Sequence, residues 1–229
     1  MKKHFVKHVV VVFLISTICT NCSAGFLKNC GHFLSVFTKE HKNVGSVVPS
    51  SRFLTNAITR HVYKGNRSIR VLEVGVGTGA IAEKVIEKIS DDDVFDIIEK
   101  DPNVCDAMRK KFAQYKNVHV YCCKVLDWYP VYEYDYIVSA LPFNSFSAQM
   151  VDMILEKFRR MIKYNGVVSY VELLAVSRIK KRILRGEKKQ DFTKNLQNRA
   201  RFEQAFAFDK DIIMLNMPPV RVYHLKVRK

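Results

Sequence analysis

Residues 71–81 read VLEVGVGTGAI. Val71, Leu72 and Val74 are the apolar run of a buried strand, interrupted only by Glu73. Gly75, Gly77 and Gly79 follow at alternate positions, and Ala80–Ile89 then takes up helical spacing. Glycine lets the backbone turn sharply and lets a ligand approach with no Cβ in the way. A Gly-x-Gly-x-Gly run alone is a weak signal. Here it is sharpened by Glu73, where dinucleotide folds usually carry an apolar residue. A second carboxylate, Glu99, ends the next strand in IIEKDP (97–102). At that place a carboxylate accepts both hydroxyls of a ribose.

Outward from this corner, strand and helix patterns alternate. Ile69–Val74, Val94–Ile98, Val118–Cys123, Tyr134–Ser139 and Gly166–Leu173 read as strands. Ala80–Ile89, Asn103–Gln114 and Ala148–Met161 read as helices between them. Apolar strands with helical spacers predict an α/β fold whose parallel sheet is wrapped on both faces. Asp211–Asn216 and Arg221–Lys226 flank Met217-Pro218-Pro219 and predict an antiparallel pair at the end of the sheet. Pro49-Ser50-Ser51 is a helix start signal, with a helix expected over Ser51–Val62.

The 229 residues are 48% hydrophobic and 26% charged, which is ordinary for one globular domain and excludes a disordered chain. The formal net charge of +16 favours a polyanionic partner, either nucleic acid or an anionic membrane face. Between Arg178 and Arg201 ten Lys and Arg face only Glu187 and Asp191. The six cysteines read as small buried hydrophobes of a reducing compartment. Cys19, Cys22, Cys30 and His32 form only a weak zinc spacing, and no metal site is expected.

Residues 1–25 join a basic leader to an apolar run and small residues, the pattern of a signal peptide or of a membrane anchor. Phe26, Leu27, Cys30, Phe33, Leu34 and Phe37 share one helical face, read either as packing on the domain or as lying on a membrane. The expected organisation is a leader over 1–25, N-terminal helices over 26–62 and the main domain over 63–229.

Glu73, Gly75, Gly77, Gly79 and Glu99 resemble motif I and the following acidic motif of the S-adenosylmethionine-dependent methyltransferases. The other readings are a nicotinamide enzyme and a structural loop. The resemblance implies a Rossmann-like, seven-stranded class I methyltransferase sheet, mostly parallel, with an antiparallel C-terminal strand and an N-terminal helical extension. It implies S-adenosylmethionine as cofactor, with Gly75–Gly79 around its amino-acid part and Glu99 on its ribose. In that superfamily the third strand often ends in Gly-Asp-Ala, the Asp lying near the adenine. Here Cys123-Lys124-Val125 stands in its place, and Asp127 is the candidate substitute.

Residues 138–144, VSALPFN, end the fourth strand, where the transferred methyl is expected. Base amino methyltransferases place an Asn or Asp before a Pro-aromatic frame, to accept a hydrogen bond from the exocyclic amine. Ala140 has no such group. VGSVVPSSRFL (44–54) and LNMPPVRVYHLKV (215–227) resemble the peripheral bacterial phospholipid N-methyltransferases. That family has Ser-Gly-Leu-Pro as its fourth motif and an Asn-x-Pro-Pro-Ala turn near its end. It tends to carry a Thr-Tyr pair where this chain has Glu172-Leu173.

The resemblance implies methyl transfer to the amine of phosphatidylethanolamine. It places Leu141, Pro142, Phe143, Tyr170 and Glu172 near the reacting groups, and Gly45, Ser46, Ser50 and Leu141 against the cofactor. The expected partner is an anionic membrane, met by residues 178–201 and the N-terminal helix of a monomer on the cytoplasmic face. Nucleic acid is the less favoured partner and export the less favoured fate. An rRNA adenine dimethyltransferase-like enzyme and a membrane-associated fold that has lost activity, its adenine position taken by Lys124, are the alternatives.

Overall fold

The computed structural model describes residues 51–216 and 218–228. Helix α1 (Arg52–Ile58) opens on Ser51, whose side chain accepts the Leu54 N–H, and buries Leu54, Ala57 and Ile58. Strand β1 (Arg70–Val74) leads through the glycine turn into α2 (Ala80–Ile86). Next come β2 (Val94–Glu99), α3 (Pro102–Lys111) and β3 (Val118–Cys122). Asp101 caps α3 by accepting the Asn103 N–H, Pro102 occupies its first turn, and Arg109, Lys110 and Lys111 sit at its negative end. A short 3-10 turn at Val125–Asp127 precedes β4 (Tyr134–Ser139).

A second 3-10 turn (Phe143–Ser145) leads to α4 (Ala148–Met161), capped by Ser147. Val151, Ile154, Leu155 and Phe158 recur at helical spacing along α4 and are buried against the sheet. Strand β5 (Ile162–Leu173) passes directly into α5 (Leu174–Ile183), then α6 (Gly186–Phe206), β6 (Ala207–Ile213) and β7 (Val220–Lys226).

The seven strands lie in the order β3-β2-β1-β4-β5-β7-β6. Only β7 runs against its neighbours. This is the mostly parallel, Rossmann-like sheet expected from the sequence, with an antiparallel strand near the end of the chain. Strand alternation divides the core in two. Val71 faces a cluster with Ile58, Ile81, Val85 and Phe112, whereas Leu72 and Val74 face Ile137, Leu155, Phe158 and Tyr170.

Two strands differ from expectation by more than one residue. β5 begins at Ile162 rather than Gly166, because Ile162 already pairs with Tyr134 of β4; the register then shifts across Asn165, which takes a left-handed φ of 60°. β6 spans 207–213 rather than 211–216. It pairs only with β7, so as an edge strand it carries Asp209, Lys210 and Asp211 without the apolar run that marks buried strands.

Candidate active site

The carboxyl ends of β1, β2 and β4 meet where the sheet order reverses, the usual ligand crevice of such sheets. Gly75, Gly77 and Gly79 all have positive φ (81°, 52° and 81°), a conformation that L side chains rarely adopt. The Gly75 N–H donates to the Ile98 carbonyl at 2.9 Å, tying the loop to β2. A Cβ on Gly79 would stand 2.8 Å from the Met108 sulfur, so the turn is also pressed against α3.

Glu73 is fully buried, and neither carboxylate oxygen has a hydrogen-bond partner among the described residues. Burial first, and the Glu99 charge second, hold its carboxyl well above the usual carboxylate range. A buried acid without a donor is costly, and an ammonium group relieves it. S-adenosylmethionine carries one on its amino-acid part. Glu99 ends β2 with one oxygen accepting the Lys100 and Asp101 N–H groups at 2.8 and 3.1 Å, which fixes the carboxylate at the cofactor's expected ribose. The residues present therefore fit the cofactor: Glu73, the glycines and Glu99 would hold it, and it would supply a methyl group already activated on a sulfonium.

Asp127 is exposed on the 3-10 turn after β3, and its charge is felt by Cys123 and Lys157. Lys124 is likewise exposed. Gly45, Ser46 and Ser50, with the leader and the expected Phe26–Phe37 helix, lie outside the described residues.

The loop after β4 is locked to the glycine turn. The Ala140 N–H donates to the Val74 carbonyl at 3.3 Å, and a Cβ on Gly75 would meet the Leu141 Cδ2 at 3.1 Å. Two tight turns follow, the Phe143 N–H donating to the Leu141 carbonyl (2.9 Å) and the Ser145 N–H to the Pro142 carbonyl (2.7 Å). Ala140 is exposed, whereas Phe143 is buried edge-on to Tyr170 with ring centroids 5.1 Å apart. Phe143 and Tyr170 therefore form the floor beneath the loop. The Tyr170 hydroxyl donates to Glu203, and its ring stacks on Tyr223.

Glu172, expected near the reacting groups, is buried. Its carboxylate meets Arg199 at 3.0 Å and Arg221 at 3.4 Å, and also accepts the Ser177 hydroxyl at 3.1 Å. Sequence reasoning missed three polar residues beside it: Asn144, Asn195 and Arg199, all at most 3% exposed. Asn195 and Arg199 share the inner face of α6 with Phe192. The spacing of 3 and 4 residues carried the signal, but two of the three are polar, so no apolar stripe marked the face.

Residues 71–166 match a family model described as a methyltransferase domain. The ornithine lipid N-methyltransferase of Singulisphaera acidiphila is 25% identical over 145 residues, 61% of this chain and 75% of that protein. Among solved structures, the N-methyltransferase NodS of Bradyrhizobium japonicum WM9 bound to S-adenosyl-L-homocysteine superposes with a TM-score of 0.58. The identity is 11%, and the match covers 86% of this chain and 99% of that one. The 23S rRNA methyltransferase ErmE superposes at 0.50 with 18% identity, over 78% of this chain and 68% of that one. Such distant likenesses speak for the fold alone. The residues matched by the methyltransferase model span both the glycine turn and the loop after β4, and the fold, with Glu73, the glycines and Glu99 at its crevice, is that of a methyltransferase with S-adenosylmethionine as cofactor.

Proposed function

We propose that this methyltransferase acts on the amine of phosphatidylethanolamine and its methylated derivatives at a membrane surface. The observation that carries the reading is the absence of a side-chain amide from the open part of the acceptor loop. Ala140 has none, and the amide of Asn144 is already committed, its nitrogen donating to the Leu173 carbonyl at 3.0 Å and its oxygen accepting from Arg199 at 2.7 Å. A flipped base would leave its amino donor without that partner, a loss of about 1–3 kcal/mol. An amine on a flexible headgroup needs only to be neutral, close and in line with the methyl. The similarity to an ornithine lipid N-methyltransferase supports a lipid amine as acceptor.

With the methyl already activated, the chain's part is to position the amine, whose ammonium form gives up its proton to solvent before the transfer. The Leu141 carbonyl takes the Phe143 N–H on one lone pair and keeps a second for a substrate N–H. Glu172 is held as a paired carboxylate by Arg199 and Arg221, so it supports the loop rather than drawing in the amine. The exposed cations of α5 and the start of α6, among them Lys181, Arg182, Arg185, Lys188 and Lys189, suit an anionic bilayer. Among the described residues no helix is long and apolar enough to cross a membrane.

Labelled S-adenosylmethionine, offered in parallel to phosphatidylethanolamine vesicles, ornithine lipid vesicles and ribosomal RNA, tests the reading. Label in phosphatidylethanolamine is the expected result. Label in ornithine lipid alone moves the acceptor to another aminolipid, and label in RNA alone overturns a lipid acceptor.

A further inference from the structure

Helix α6 reaches across the molecule to hold the acceptor loop, and it does so with polar groups buried as deeply as the core. The side-chain nitrogen of Asn195 donates to two loop carbonyls, Phe143 and Phe146, at 2.9 Å each. Arg199, 2% exposed, donates to the Asn144 side-chain oxygen at 2.7 Å and pairs with Glu172 at 3.0 Å. Its Nε faces Glu203 at 3.9 Å, and Glu203 in turn accepts the Tyr170 hydroxyl. From α5, Lys180 adds a hydrogen bond to the Asn144 carbonyl at 2.6 Å. One guanidinium thus joins the acceptor loop, the end of β5 and α6.

A buried ion pair of this kind is a poor source of stability, because desolvation consumes most of the Coulomb gain and an apolar set of similar volume often does as well. What a guanidinium adds is direction, since its planar fork fixes two partners at set angles. Here one partner is a loop residue and the other a rigid strand. The loop residues it holds follow immediately on Ala140–Pro142, which border the methyl, and they rest on the glycine turn through Leu141.

We infer that Arg199, acting through Asn144 and backed by Glu172, is a positioning residue for methyl transfer: it sets the conformation of the Leu141–Phe146 loop against the bound cofactor. The inference rests on the methyltransferase site and not on which amine is methylated. A displacement of about 1 Å at such a site costs up to about 100-fold in rate.

The test uses two variants, Arg199→Lys, which keeps the charge and loses the fork, and Asn144→Ala, which leaves the Arg199–Glu172 pair in place. Hydrogen exchange is followed by mass spectrometry on the full chain saturated with S-adenosyl-L-homocysteine. Turnover is read alongside on phosphatidylethanolamine vesicles. The expected result in both variants is exchange at least tenfold faster over residues 141–146, with residues 71–79 unchanged and S-adenosyl-L-homocysteine bound within threefold of its original affinity. Where the unaltered chain turns over, kcat falls 10- to 100-fold. Loop exchange within twofold of the unaltered chain in either folded variant overturns the inference. So does an equal rise over residues 71–79, which marks Arg199 as merely structural. An unaltered chain that methylates no phosphatidylethanolamine defeats the acceptor reading instead, and the exchange result still decides the role of Arg199.

Discussion

Leu141 occupies the space that a side chain on Gly75 would need: a Cβ built there lies 3.1 Å from the Leu141 Cδ2 and 3.7 Å from its Cγ. The cofactor turn and the acceptor loop are therefore one packed unit, and a change in either is felt by both. Gly75→Ala adds the left-handed strain of its φ of 81°, about 1–2 kcal/mol, and pushes Leu141 off its seat. The expected outcome by calorimetry is at least a tenfold loss of S-adenosylmethionine affinity. Leu141→Ala in the same background restores part of it by opening that space.

Glu73 gives the unliganded protein a pH dependence of defined sign. Its folded-state pKa is raised, so above about pH 4.3, where the unfolded carboxyl ionises, the folded state holds the extra proton. That stabilisation is complete below the unfolded pKa and fades as pH rises through the folded one. Glu73→Gln should flatten the slope of urea-derived stability against pH in the range above the unfolded carboxyl value. It should also weaken S-adenosylmethionine by roughly tenfold or more, since a hydrogen bond to a charged group contributes about 1.5–3 kcal/mol. A saturating cofactor should flatten the slope of the unaltered chain as well.

His224 works in the opposite direction. It is wholly buried, and desolvation brings its pKa down to about 4, opposed by Asp211 at 3.2 Å and aided by the charges of His61 and Arg60. Its other ring nitrogen meets Ser169 at 2.8 Å. The unfolded imidazole titrates near 6.5, so stability is complete above that pH and is lost as pH falls toward 4, by up to about 3 kcal/mol. Denaturation at pH 7.5 and 4.5 measures the difference. His224→Gln should remove most of this contribution, leaving the remaining carboxylates to set the slope.

The exposed cations of α5 and early α6 predict a salt-sensitive partner. Each Lys or Arg contributes about 1 kcal/mol near an anionic leaflet. Changing Lys181, Arg182, Arg185, Lys188 and Lys189 to Gln should lower the partition onto phosphatidylglycerol vesicles by about three orders of magnitude in a sedimentation assay, with S-adenosylmethionine binding unchanged. None of these five side chains is buried against the acceptor loop.

The parts of this molecule that were legible in its sequence are those whose signal is local. The glycine turn, Glu73 and Glu99 lie within 27 residues of one another, and each strand of the central sheet announces itself as an apolar run. The clamp on the acceptor loop is of another kind. Arg199 and Asn144 stand 55 positions apart, and neither residue type marks a core position by itself. Read along the chain, Arg199 is one more cation in a basic segment. Only the fold separates it from Lys188 or Lys189, which face water. The burial of Glu172 is hidden for the same reason, because an acid at a strand end carries no local sign of burial until its two arginines are brought to it.

The outermost strand has a bearing on colloidal behaviour. β6 presents Asp209, Lys210 and Asp211 in succession, and Arg60, in the turn after α1, bridges both aspartates while His61 joins Asp209. A second copy adding itself to that border by backbone pairing would have to break these contacts and bring like charges opposite one another. On the membrane surface proposed above, the enzyme would meet its own kind far more often than in bulk solution. A border of alternating charge, already spoken for within the molecule, keeps such encounters from propagating into a continuous sheet.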